Sequence, residues 1–298
     1  MSTRKSLLRY TLIINKLRSR PCGFQEIRDR LERESDLLGD DLVISKRTFQ
    51  RDIDEIRSIC KTDIKYDFSR RVYFIEDTGE LELRDRILEA FDLFNTFNIS
   101  AGLSDHVHFE KRRSAGTENL YGLLHAIKNR LVTLFTYEKF WEEEVTQRNV
   151  NPLLLKEFKN RWYILAKDSK DDKIKTFALD RLSDLEITKK HFAMPADFDA
   201  EKTFRFYFGI INPQDDEPEE IILSFTPAQG KYIKTLPLHE SQEIIAGHVD
   251  ELRVKLKLCI THDLIMELLS YGSDMKVLQP DSLANEIKQA HKDAFEHY

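Results

Sequence analysis

The spacing of apolar residues in this chain changes near residue 131, and that change divides what it can fold into. In the first sixty residues they recur at intervals of three and four. Tyr10, Ile13, Ile14 and Leu17 form one set, Phe24, Ile27 and Leu31 a second, and Phe49, Ile53 and Ile56 a third. That spacing places each set on one face of a helix. From Leu131 the period becomes 2, and segments 131–137, 148–155, 161–167, 173–178 and 184–189 read as five short strands. Strands at such close spacing suggest a small antiparallel barrel. A chain with both patterns is expected to be α+β, with separate cores.

The front of the chain is the most specific part. Pro21 and Gly23 stop the first helix, the second covers about 24–33, and Gly39, Asp40 and Asp41 form a break. Ser45 is a good N-cap for a third helix over 45–57. Two strand-like pieces, 64–66 and 72–75, flank a loop at 67–71. Three helices followed by a hairpin is the order of a winged helix-turn-helix, in which the second helix braces the third in the major groove. Arg47, Gln50, Arg51 and Asp54 fall opposite the apolar stripe of the third helix. Its exposed face thus begins with cations at the positive end, where the helix dipole does not favour them. Arginine and glutamine can bond base edges and phosphates. Lys46, Arg47, Thr48, Gln50 and Arg51 are therefore candidate DNA contacts, with Arg70 and Arg71 at the wing tip. The competing reading is a solvated face whose arginines pair with Asp54 and Glu55. Charge favours the first: residues 1–75 hold 17 Lys/Arg against 12 Asp/Glu, a local balance of +5, in a chain whose net charge is −6.

The remaining segments set the organisation. Residues 79–130 read as a helical linker, with Leu83, Ile87, Phe91 and Phe94 on one helix, a second helix at 120–129, and a hinge near 114–118. His106, His108 and Glu110 could share a strand face, but one such cluster is weak evidence and no metal is expected. An acidic, proline-bounded stretch from Pro213 to Glu219 leads into a β-α-β-β-α-β order, the ferredoxin-like arrangement, closed by a helix at 282–297. The exposed edge of that sheet and the terminal helix, through Leu283, Ile287 and Ala290, offer a dimer surface. Domains are thus expected at 1–78, 79–130, 131–212 and 213–298. Nothing approaches the apolar length of a membrane span, and three scattered cysteines suit a reducing cytoplasm. A Gly-rich phosphate loop, His-Glu-x-x-His and Gly-x-Ser-x-Gly are all missing, so neither an enzyme nor a cofactor is expected.

Within the strand region stand Val150 and Pro152, then Trp162, Tyr163, Ile164, Leu165 and Ala166, then Leu179, Asp180, Arg181 and Leu182. These resemble the signature of the WYL-domain transcriptional regulators, with Ile164 where the name-giving tripeptide has leucine. Ser45, Arg47, Thr48, Arg51, Asp52 and Ile53 are similar to the family's recognition-helix motif, and the C-terminal segment looks like its WCX extension. The resemblance implies a winged-helix DNA reader joined to an Sm-like, SH3-type barrel that binds a regulatory ligand, in some members a single-stranded nucleic acid. Carried over by position, the ligand patch is Tyr137, Arg148, Tyr163, Lys175 and Arg181. Arginines pair bidentately with phosphates and tyrosines stack on bases. Trp162 and Ile164 share a strand face and are expected in the barrel core, with Tyr163 pointing the other way. Arg148 has no acidic residue two positions away on its own strand, which favours a ligand role.

The expected function is a ligand-responsive, sequence-specific regulator, a cytoplasmic homodimer that reads a double-stranded operator and senses a nucleotide-like or single-stranded effector. The alternative is an accessory nucleic-acid-binding subunit of a defence or DNA-repair assembly.

Overall fold

A computed structural model of the chain describes residues 3–76, 87, 89–90, 115–140, 144–196, 198–211, 217–247 and 250–298. The chain divides into two compact units, residues 1–110 and 111–298. Of the helix expected through Leu83, Ile87, Phe91 and Phe94, only Ile87, Glu89 and Ala90 are described, and they are helical; the other three positions, and the cluster of His106, His108 and Glu110, lie outside the described residues.

The first unit is built from α1 (Thr3–Ser19), α2 (Phe24–Leu38), α3 (Lys46–Cys60) and a hairpin, β1 (Asp63–Asp67) with β2 (Val72–Glu76). The three apolar sets meet in one core that also takes in Ile64 and Tyr73 of the hairpin. Phe49 sits between two rings, with Phe24 at 5.1 Å and Tyr73 edge-on at 4.9 Å. α2 continues a turn beyond its expected end, because Gly39 rather than Arg33 stops it. Gly39 adopts φ 67°, and its amide donates to the Ser35 carbonyl at 2.9 Å, closing the helix in the left-handed conformation glycine tolerates. Ser45 caps α3 as expected, its hydroxyl accepting from the Thr48 amide at 3.2 Å. Cys22 and Tyr73 exchange backbone hydrogen bonds of 3.1 and 2.8 Å, which stitches the entry to α2 onto the hairpin.

A buried ion pair locks α1 to α3. Arg9 Nε donates to Asp52 Oδ2 at 2.5 Å and Nη2 donates to Oδ1 at 2.9 Å, with both side chains sealed from solvent. Such a two-point bond fixes direction as well as distance.

Near the start of the second unit stands Gly116, whose φ is 84° and whose backbone lies so close to Leu179 that a Cβ would stand 2.2 Å from the Leu179 carbonyl. Where a hinge was expected, the chain is pinned, and only glycine fits. α4 (Leu120–Asn129) has the span expected for it, but it is not part of a linker. Leu123 is fully buried in the core of the following sheet. That sheet has β3 (Leu131–Lys139), β4 (Glu144–Phe158), β5 (Arg161–Asp168), β6 (Ile174–Ala178) and β7 (Leu182–His191), all antiparallel, in the order β6-β5-β4-β3-β7. The β4–β5 turn is Lys159-Asn160, both with positive φ (46° and 60°), the geometry that matches strand twist in a two-residue hairpin. The register slips between Pro152 and Leu154, where proline has no amide for the ladder. Ile164 is fully buried and Trp162 packs against the same core, as alternation along β5 requires.

A segment containing the short α5 (Ala200–Phe204) leads to the C-terminal sheet. There β8 (Glu219–Phe225), α6 (Pro227–Thr235), β9 (Glu243–Gly247), β10 (Leu252–Leu258), α7 (His262–Leu269), β11 (Met275–Gln279) and α8 (Asp281–Glu296) follow in order. The four strands are antiparallel and arranged β11-β8-β10-β9. Leu283 and Ile287 of α8 are buried in this sheet's core, so the apolar stripe expected to face a partner is already covered. The outer edge of β9 is left, with Ile244 and Ile245 exposed.

Candidate nucleic-acid interface and effector cleft

Burying Phe49, Ile53 and Ile56 turns the other side of α3 outward. Lys46, Arg47, Gln50 and Arg51 are exposed, and Thr48 is partly so, its hydroxyl 3.1 Å from that of Ser45. Among the described residues, Lys46, Arg47 and Arg51 make no ion pair. The carboxylate that could have neutralised them, Asp54, lies 3.6 Å from Arg57 instead, and Arg57 is held by Asp63 at 2.7 Å. The cations at the start of α3 are therefore available. Asp52, one residue after Arg51, points inward to Arg9 and sets the roll of the helix.

The hairpin loop is shaped by Asp67, whose Oδ1 accepts from the amides of Ser69 (2.8 Å) and Arg70 (3.1 Å). Arg71 completes the turn with φ 56°. Phe68, Arg70 and Arg71 are all exposed at the tip, and neither arginine has an ion-pair partner among the described residues.

The second group of expected site residues is only partly brought together. A cleft of about 670 Å³ is lined by Tyr137, Lys139, Arg148, Lys170, Lys175 and Ile210, among others. Tyr137, Arg148 and Lys175 therefore share one surface; Tyr163 and Arg181 are not on it.

The expectations for the five patch residues change here. Arg148 is not free for a ligand. It is only 7% exposed, its Nη1 donates to Asp168 Oδ2 at 3.0 Å, and its Nε donates to Thr146 Oγ1 at 3.0 Å. The acidic partner comes from the neighbouring strand, since Val150 pairs with Asp168 in the register of β4 and β5. Lys175 shares that carboxylate at 2.9 Å and also reaches Asp171 at 2.6 Å. Burial alone would raise the Asp168 carboxyl. The Lys170 amide and the Lys175 ammonium outweigh it, with Arg148 adding to them, and hold it below the usual carboxylate range. The cluster is thus close to neutral: two cations on two carboxylates, with Lys139 on Glu144 beside them at 2.9 Å. Lys170 is the lining cation without an ion pair among the described residues.

Tyr163 does point away from Trp162 and Ile164, but that face is covered too. It is 7% exposed, and burial raises its hydroxyl above the ordinary tyrosine range. It offers no open ring for a base to stack on. Tyr137 is largely core, its hydroxyl accepting from the Ala178 amide at 3.2 Å and its ring edge-on to Phe177 at 5.1 Å. Arg181 does not pair with Asp180, which lies 3.3 Å from Arg161. Its guanidinium lies over Phe140 and Tyr137, at 4.7 and 5.7 Å from the ring centroids. Asp168, Lys139 and Lys170 were not anticipated, because a cross-strand partner has no fixed sequence spacing.

Among the described residues no helix is long and apolar enough to cross a membrane, and no cluster of His, Cys, Asp or Glu could hold a metal ion.

Comparison with known proteins adds family identity. No curated protein matches the chain. Several solved chains are distantly similar, two of them as follows. The proteasome accessory factor B/C (PafBC) of Arthrobacter aurescens shows 16% identity and a TM-score of 0.35, over 95% of this chain and 45% of that one. A CRISPR Cas-related protein shows 12% identity and a TM-score of 0.39, over 86% of this chain and 74% of that one. This chain thus spans less than half the length of the first. The family models are more specific: the WYL domain matches residues 118–187 and the WCX domain residues 217–295. The first begins just before α4 and the second just before β8, where the two sheets of this unit begin. The chain belongs to the WYL-domain family, with a WYL domain followed by a WCX domain.

Proposed function

We propose that this chain is a DNA-binding transcriptional regulator. The first unit acts as a winged helix-turn-helix, with α3 entering the major groove and the hairpin tip lying against the backbone or minor groove. The WYL segment is read as an Sm-like barrel carrying the effector cleft, and the WCX segment as a ferredoxin-like module. The strand orders β6-β5-β4-β3-β7 and β11-β8-β10-β9 support both readings. The single observation that carries the function is the outward row of Lys46, Arg47, Gln50 and Arg51, unpaired on one face of a helix whose other face is locked by Arg9 and Asp52.

The effector reading is narrower than the sequence suggests. Arg148 and Lys175 are already neutralised, so a polyanion would gain little from them. A ligand that uses Lys170 and the apolar wall of Ile174, Phe177 and Ile210 fits the lining better. The open β9 edge supports pairing of two copies, as two-fold reading of DNA half-sites requires.

The direct test is fluorescence anisotropy of the whole chain on labelled duplex and single-stranded DNA across a salt series. Five exposed cations, Lys46, Arg47, Arg51, Arg70 and Arg71, face the solvent in each chain. If all five neutralise phosphates, log affinity for duplex should fall with log salt at a slope of about −4.5 per chain. The reading fails if duplex is not bound, or is bound no better than single strand with a slope near zero.

A further inference from the structure

Lys156 differs from the ion-paired lysines of the second unit, and unlike the exposed Lys170 it is half-buried. Lys139, Lys159, Lys167 and Lys175 each hold a carboxylate at 2.6–2.9 Å. Among the described residues the Lys156 ammonium makes neither an ion pair nor a hydrogen bond. Its ammonium lies 3.5 Å from the centroid of the Phe204 ring. It stands on β4, across from Tyr163, on the face covered by the segment leading to the C-terminal sheet. The C-terminal sheet is joined to that segment firmly. The Asp263 carboxylate accepts from the amides of Ile210 and Ile211 at 2.8 and 3.1 Å, and Gly209, with φ 92°, is the only residue type that fits beside it.

A cleft of about 360 Å³ opens beside Lys156. Its walls are Phe158, Phe204, Tyr207 and Leu238, and His239 and Glu240 also line it. The His239 Nδ1 accepts from the Ser241 amide at 3.1 Å, which assigns the proton of the neutral ring to Nε2. Desolvation lowers the pKa of both basic groups. It pushes the Lys156 ammonium down to about 8, with Asp263 of α7 opposing, and carries His239 below the ordinary histidine range, opposed by Glu240 and reinforced by Lys156. The other charged groups lining this cleft are Glu201 and Arg205, on the joining segment. An amine packed over an aromatic ring, partly desolvated and with no carboxylate bonded to it, is the environment in which lysine becomes a nucleophile.

We propose that this cleft captures a small aromatic aldehyde or ketone covalently, with Lys156 Nζ as the nucleophile. The neutral amine adds its lone pair to the carbonyl carbon, and the carbonyl oxygen takes up a proton. The resulting carbinolamine loses its hydroxyl as water and one N–H proton, leaving a C=N bond. One amine and one carbonyl compound give one imine and one water, and nothing is oxidised or reduced. His239, Glu240 and Glu201 are the proton-exchanging groups that line the cleft. A cleft of this volume suits a single-ring ligand, and the aromatic walls select against a purely polar one. Formation of the imine would replace the cation over Phe204 by an apolar group, altering the contact between β4 and the joining segment. The proposal holds whether or not the first unit binds DNA.

The test uses the full chain at pH 7.5 with benzaldehyde and cyanoborohydride, which reduces any imine to a stable benzylamine, followed by peptide mass mapping. Lys156 is expected to be labelled at least about tenfold faster than the exposed Lys170 and Lys234, because far more of it is uncharged. Its labelling should saturate with benzaldehyde and level off above about pH 8, and Lys156→Arg should remove the fast phase. Labelling that follows exposure, leaving Lys156 no faster than Lys170, overturns the proposal. The mapping is done on the unaltered chain, so the result stands even if the Lys156→Arg variant does not fold.

Discussion

Asp52→Ala is expected to destabilise the first unit by about 3–5 kcal/mol, the cost of removing one partner from a buried ion pair. Arg9 is fully buried, and its guanidinium loses both of its bonds to Asp52 at once. The loss should be local. In sequence, both tryptophans, Trp141 and Trp162, lie after residue 111 and therefore report the second unit. In a denaturant series the 222 nm ellipticity transition, with its large helical share from the first unit, should move to lower denaturant while the tryptophan fluorescence transition stays in place. Replacing both partners, Arg9→Met with Asp52→Leu, should recover most of the stability, since an apolar pair of similar volume is often neutral or better. A loss below about 1 kcal/mol in Asp52→Ala would mean that the pair does not hold α1 against α3.

The functional consequence follows from the same bond. Asp52 sits next to Arg51, so the direction of one side chain into the core decides the direction of the other into solvent. The apolar recovery pair would restore stability without restoring the two-point bond. A drop in DNA affinity in that variant would show that the ion pair contributes to aim as well as to stability.

The second large effect is expected at the surface. Arg47→Ala and Arg51→Ala should each weaken binding to a specific duplex by about 1–3 kcal/mol if they read base edges, so that the double variant loses roughly two orders of magnitude or more. Stability should change by less than about 0.5 kcal/mol, because both side chains are exposed and unpaired. If the arginines touch only phosphates, the loss should be uniform across sequences, with a salt slope shallower by about one for each. An unchanged affinity in a folded double variant would remove α3 as the reading element.

What was legible in the sequence follows from how local each signal is. The third helix was readable because its cap, its apolar stripe and its cation face are written within about thirteen residues, and helical geometry converts that spacing directly into faces. α4 was readable over its full length for the same reason. Its place was not, because Leu123 packs on a sheet formed by residues that follow it. The end of α2 is not legible from apolar spacing, since Glu34, Ser35 and Asp36 carry no apolar signal and the stop is written only in Gly39. In the WYL segment, alternation correctly placed Ile164 inside and Tyr163 on the opposite face. It could not reveal that the opposite face is also covered. Arg148 shows the limit most plainly: its partner Asp168 is 20 residues away, brought beside it by hairpin register. The Arg9–Asp52 pair, 43 residues apart, had no sequence signal beyond the presence of a charge in an apolar stretch.

Selection from a pool of randomised duplexes tests the central claim most directly, with the full chain and its Arg47→Ala, Arg51→Ala variant run in parallel at physiological salt. The unaltered chain is expected to enrich a short motif, two-fold symmetric if two copies bind, and the variant to enrich none or to lose preference at the positions those arginines read. Enrichment of the same motif by both chains, or of none by either, would contradict the claim.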